Sequence, residues 1–167
     1  MGQRRDPVRR RLLDHTLVSL FGTLSTESYR EIEENLEVVN LKGGERLFSQ
    51  GDPGDSMYMV MGGRLRAVGR ADGGGERMLG EISRGESVGE MALITGEPRS
   101  AGIVAIRDSV LIRLSKASFE RLIRSQPDLL LNLSRLVVRR LTRSERGRGP
   151  NSRIRSVAVV FAGEGVP

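Results

Sequence analysis

The sequence predicts an α+β fold, mainly β, gathered around one core. Three observations carry that expectation. From 41 to 114 short apolar segments are separated by glycine clusters, and on either side apolar residues recur at helical spacing. The chain has 167 residues, the size of a single domain. Its hydrophobic content of 38% suffices for a core, and 21 glycines with 6 prolines fall short of low-complexity composition.

The elements follow in order. Residues 1–11 form a basic arm. Leu12, Leu13, Leu17, Leu20 and Phe21 then share one face of a helix over 12–21. Tyr29, Ile32 and Leu36 repeat the pattern over 26–36, with Ser25 or Thr26 as N-cap and Glu27 near the positive helix end. Strands are expected at Leu47–Phe48, Met57–Met61, Leu65–Val68, Met78–Ile82, Ile103–Ile106 and Val110–Leu114. Between them Gly51–Asp55, Gly62–Gly63, Asp72–Gly75 and Gly85 read as tight turns, because glycine reaches positive φ at no steric cost. Ser115 caps a helix over 116–124, and Pro127 opens a longer one that runs to about Arg146. The domain is thus read as 12–146. Gly147, Gly149 and Pro150 begin a linker, 147–155, and Ser156–Phe161 reads as a strand opening a following domain or tail, 156–167.

Composition excludes several chemistries. There is no cysteine, so no disulfide scaffold, thiolate metal site or Cys nucleophile, and a lone His15 excludes a multi-histidine site. No apolar run approaches the ~18 residues of a membrane span, and no small-residue cleavage site follows the N-terminal arginines. A cytoplasmic chain without a transmembrane span is expected, with peripheral membrane association of a longer protein left open. The net charge of +6 sits at the ends: five arginines against Asp6 in 1–11, and eight against Glu145 in 135–155. That leaves the body, 12–134, at −4. A basic stripe across a folded face is missing, so no direct nucleic-acid binding is expected.

The densest constellation runs from Val88 to Ala101. Gly89 permits close backbone approach to a ligand, and Met91–Ile94 is long enough for one helical turn whose free N–H groups suit an anion. Pro98 stiffens the loop that returns Arg99, a fork-shaped donor for two phosphate oxygens. Ser100 and Ala101 are small enough for their amides to reach the same anion. Glu90 repels a phosphate unless it accepts from a sugar hydroxyl while Arg99 neutralises both charges. One phosphate and one free ribose hydroxyl describe a cyclic nucleotide.

Gly89-Glu90-Met91-Ala92-Leu93 followed by Pro98-Arg99-Ser100-Ala101 resembles the phosphate-binding cassette of cyclic nucleotide-binding domains. This is the family of the protein kinase A regulatory subunit and the bacterial catabolite activator protein. The resemblance extends through Gly44–Phe48, Gly51–Asp55 and Tyr58–Val60 with Gly63, and covers about 15–140. It implies an eight-stranded β-roll, or jelly-roll, with N-terminal helices, a short cassette helix and a long C-terminal helix that moves over the base. It also implies that Glu90 holds the ribose 2′-hydroxyl and Arg99 the cyclic phosphate. Gly89, Met91, Ala92, Ser100 and Ala101 add backbone or small-group contacts, and Leu79 and Val88 wall the base. No cofactor is implied; the ligand is cAMP or cGMP, with cAMP favoured. Val88 stands where the family usually has a large aromatic, and Gly102 replaces a polar or β-branched residue. The C-terminal helix offers no aromatic cap, leaving Leu133, Leu136, Arg135 or Arg139 to cover the base.

Gly85-Glu86-Ser87-Val88-Gly89 matches the G-x-S-x-G nucleophile elbow of serine hydrolases, but the elbow needs an α/β sheet, a long helix and a base. A DNA-binding regulator needs a helix-turn-helix after the long helix, where a Gly/Pro break and a strand stand instead. The arginine-rich linker and the ending Ala162–Pro167 are similar to patatin-like serine esterases of the neuropathy target esterase type. That similarity implies a regulatory, non-enzymatic module serving a downstream domain in the same chain, with a homodimer through the C-terminal helix as a further expectation.

Overall fold

The structure, a computed structural model, describes residues 7–146. Helices α1 (Pro7–Phe21) and α2 (Thr26–Glu34) lead into β1 (Glu37–Leu41), β2 (Arg46–Phe48), β3 (Ser56–Arg70), β4 (Glu76–Ser83) and β5 (Ser87–Val88). Then come the short α3 (Glu90–Thr95), the long strand β6 (Gly102–Ser115), α4 (Lys116–Ser125) and α5 (Asp128–Arg146). The expected strand at 156–161 and the linker lie outside the described residues. Helix α1 begins at Pro7 rather than at 12, so residues 7–11 of the basic arm are helical. Proline suits a first helical turn because its missing N–H has no partner there in any case.

The sheet is antiparallel, in the order β1-β6-β3-β4, with β2 also on β6 and β5 on β3. Among the described residues six continuous strands stand where eight were expected. The difference lies in β3 and β6, of 15 and 14 residues, each of which does the work of two. Gly62–Gly63, expected as a turn, is instead a bend inside β3, where the pairing with β6 slips in register. Gly63 sits at φ +92°, and a Cβ there would lie 2.2 Å from the Ser109 Oγ and 2.5 Å from its Cα. Two long strands can therefore cross the bend together only without a side chain at that point. Ser109 mends the ladder: its hydroxyl accepts from the Arg64 N–H at 3.1 Å and donates to the Arg107 carbonyl at 2.7 Å. One half of β6 pairs β1 and the other pairs β2, so dividing β3 and β6 at their bends recovers eight segments.

Leu41, Tyr58, Val60, Leu65, Val88, Ile103, Ala105 and Leu111 pack as one apolar cluster inside the roll. A second group of buried side chains, Leu17, Phe21, Ile32, Leu122 and Leu129, comes from the helices. Ser25 caps α2 and Ser115 caps α4 through the N–H groups of Ser28 and Ser118. The Gln126 side chain ties Thr23 to Ser25, and Asn132 donates to the Phe21 carbonyl at 2.8 Å. Leu133, one of the side chains expected to cover a base, is fully buried in this packing.

The chain divides into two compact units, Met1–Ser134 and Arg135–Pro167. The first holds the whole sheet and the candidate site. Of the second, the described part is the remainder of α5. No helix among the described residues is long and apolar enough to cross a membrane.

Candidate binding site

The site is assembled from two loops. Between β2 and β3, the Gly51–Asp55 turn is closed by the Asp52 carboxylate, which accepts from the Ser49 N–H at 2.8 Å. This turn grips the cassette twice. The Arg99 N–H donates to the Asp52 carbonyl and the Gly51 N–H donates to the Arg99 carbonyl, both at 2.8 Å. A Cβ on Gly54 would lie 2.2 Å from the Ala92 Cβ, so α3 seats directly on the turn backbone.

The cassette leaves β5, where Val88 pairs Tyr58, and turns at Gly89 in the left-handed region at φ +84°. That φ suits glycine on its own account, and a Cβ there would also lie 2.5 Å from Arg99 Nη1. Glu90 opens α3, which ends at Gly96, whose N–H donates to the Ala92 carbonyl at 3.0 Å. Glu90, Ala92 and Arg99 are buried, Met91 and Ala101 half-buried, and Ser100 exposed.

Arg99 is the centre of the arrangement, with its side chain 2% exposed. Nη1 donates to the Ser56 carbonyl at 2.7 Å and to the Gly89 carbonyl at 3.0 Å. Nη2 reaches the Ser56 hydroxyl at 3.4 Å and the Asp55 carboxylate at 3.5 Å, the outer limit of a hydrogen bond. Nε has no hydrogen-bond partner. The guanidinium carbon stands 4.1 Å from the centre of the Phe48 ring. Burial pushes the Arg99 pKa down, opposed mainly by Tyr58 and Asp55, yet a guanidinium keeps its proton. Asp55 is shared: its other oxygen receives Arg113 at 3.2 Å, and Arg113 also meets Glu37 at 2.9 Å. The short hydrogen bond from Ser56, with Arg113 and Arg99 behind it, holds the Asp55 carboxyl below the usual range.

The structure thus brings Gly89 and Arg99 together, with Glu90, Met91 and Ala92 in the turn that follows Gly89 and Ser100 and Ala101 following Arg99. Leu79 lies on the β3–β4 hairpin, packed over Gly69, while Val88 belongs to the core cluster. Sequence reasoning did not single out Ser56, Asp55 or Phe48 for the site. Phe48 and Asp55 had only their place in the Gly44–Phe48 and Gly51–Asp55 motifs as a signal, and Ser56, just past the second motif, had none. At Gly102 a Cβ would meet Arg46 Nη1 at 2.8 Å, so the missing side chain makes room for that guanidinium, itself paired to Glu76. Ser87 is buried in the two-residue β5 and is followed by a six-residue helix, a geometry unlike a nucleophile elbow. His15 is an exposed position on α1. Among the described residues no group of His, Asp and Glu is placed to hold a metal.

Residues 38–126, from the start of the sheet to the end of α4, match the cyclic nucleotide-binding domain family. The chain belongs to this family. The fold agrees: a cyclic nucleotide-binding domain from Methylobacillus flagellatus superposes with a TM-score of 0.74 at 26% identity, covering 86% of this chain and 84% of that one. The Thermus thermophilus catabolite activator protein superposes at 0.68 with 33% identity, over 77% of this chain and 61% of that one. In sequence the domain is similar to lysophospholipase NTE1 of Phaeosphaeria nodorum, 32% identical over 75% of this chain and 8% of the fungal protein. The Saccharomyces cerevisiae lysophospholipase NTE1 is 36% identical over 66% of this chain and 7% of its own length. The domain therefore spans less than a tenth of the curated relatives it resembles here.

Proposed function

We propose that this domain is a sensor that takes cyclic AMP in preference to cyclic GMP and relays its presence through α5 to a downstream lipid hydrolase. One observation supports the ligand above the others: Arg99 is a charge almost removed from water whose partners are two carbonyls, a hydroxyl at 3.4 Å and one carboxylate oxygen at 3.5 Å. Burying a cation without a well-placed anion costs several kcal/mol, roughly, and a phosphate at the unpartnered Nε supplies that anion. Glu90, beside it, accepts the ribose 2′-hydroxyl. Gly89, Met91, Ala92, Ser100 and Ala101 contribute amides and small surfaces, and Leu79 and Val88 give the base apolar contact. The lysophospholipase relatives, of which this chain matches 8% and 7%, support a hydrolase as the element served.

Calorimetric titration with cyclic AMP, cyclic GMP and linear 5′-AMP tests the reading. Cyclic AMP should bind tightest and the linear nucleotide weakest. Equal affinity for linear AMP removes the ring-closed phosphate from the argument, and heats of dilution alone for all three remove the ligand.

A further inference from the structure

We propose that Phe48 is a positioning residue for the anion site: its ring is the floor that orients the Arg99 guanidinium for a phosphate. This rests on the nucleotide reading above and deepens it. Phe48 ends β2, and its ring lies under the guanidinium at 4.1 Å from Cζ to centroid, well within cation–π range. Phe48 also meets Tyr58, whose ring is 6.0 Å away at a 36° tilt. The Tyr58 hydroxyl is in turn 3.1 Å from the Ser56 Oγ, and the Ser56 carbonyl takes Nη1. One cluster thus fixes both the plane of the guanidinium, through the ring, and its rotation within that plane, through the two carbonyls on Nη1.

The chemistry argues for more than packing. The Asp55 contact to Arg99 is long, and that acid is shared with Arg113. The negative face of the half-buried Phe48 ring is a further source of compensation, and such a face acts most strongly on a desolvated cation. A planar donor held flat presents Nε and Nη2 along one edge, the arrangement a phosphate needs for two parallel hydrogen bonds. A leucine of similar bulk fills the space but exerts no field on the cation and fixes no plane.

The test separates field from bulk. Phe48 is replaced in turn, at that position alone, by 4-fluoro-, 3,5-difluoro- and 3,4,5-trifluorophenylalanine, and cyclic AMP binding is measured by calorimetry with a thermal melt of each protein. Fluorine withdraws electrons from the ring face while nearly conserving its shape. Affinity should fall stepwise, by about tenfold across the series, with melting temperatures held. Phe48→Leu should fall at least as far and Phe48→Tyr should stay near wild type. A flat series in a protein that binds cyclic AMP overturns the role of Phe48 and leaves the nucleotide reading intact. Rising affinity also overturns it, because Arg99 then leaves the ring to bind. A wild type that binds no nucleotide overturns both.

Discussion

A guanidinium held closely by two carbonyls and at longer range by Asp55 is an unfinished interaction, and its consequences can be measured on single side chains. Arg99→Ala should weaken cyclic AMP binding by at least ~2 kcal/mol, about thirtyfold, because a desolvated phosphate loses its charged partner. Calorimetry on the variant checks this, and an unchanged affinity refutes the placement. Asp55 makes a second prediction. Its carboxyl is held below the ordinary value of 3.8, so it contributes stability above that pH and loses it as the pH falls through the lowered folded value. Asp55→Asn should therefore unfold at lower urea than wild type near about pH 5, with the gap closing toward about pH 2. A gap that stays constant refutes the ion-pair account. The approach of Arg99 to Gly89 was legible in the sequence, because an arginine after proline and a glycine before a helical turn carry their geometry in their spacing. Phe48, Ser56 and Asp55 were not. Their role arises where β2 and the start of β3 meet the returning loop, and no local pattern encodes that meeting.

Among the elements, the seat of α3 on the Gly51–Asp55 turn is the contact most sensitive to volume. Gly54→Ala places a methyl 2.2 Å from the Ala92 Cβ, so something must move. The expected cost is roughly 1–3 kcal/mol of unfolding free energy, the usual range for overpacking. Ala92→Gly in the same chain should recover part of it. Urea denaturation of the two single variants and the double variant decides this, and strict additivity counts against the contact. Helix caps were easy to read, since Ser25 and Ser115 stand immediately before apolar periodic runs and both cap as expected. The glycine pair at 62–63 was harder. A hairpin turn and a bend in a continuous strand both require positive φ, and only the partner strand, with Ser109 filling the gap, tells them apart. The start of α1 was missed because its first turn, Pro7–Arg10, sets Val8 beside two arginines and shows no repeat of apolar residues.

For the molecule as a whole, ligand binding and folding are linked. Nucleotide at a hundredfold excess over Kd should raise the unfolding free energy by about 2.7 kcal/mol, read as a melting temperature that climbs with concentration. If α5 relays the signal, saturating cyclic AMP should also change amide exchange within Asp128–Arg146, and identical exchange with and without ligand ends that idea. Organisation at this level was legible in outline, because a glycine-punctuated middle between two helical flanks admits few arrangements. Strand order was not legible, since β1, β2 and β3 all find their partner in β6. That shared partner bears on how the protein is born. Among the described residues β1 and β2 pair with β6 alone, and β6 is the last strand to leave the ribosome. At about 5–20 residues per second, β1 waits on the order of 4–15 s for its mate. Until it arrives β1 and β2 have no strand to close on, whereas β3 already has β4 and β5 beside it.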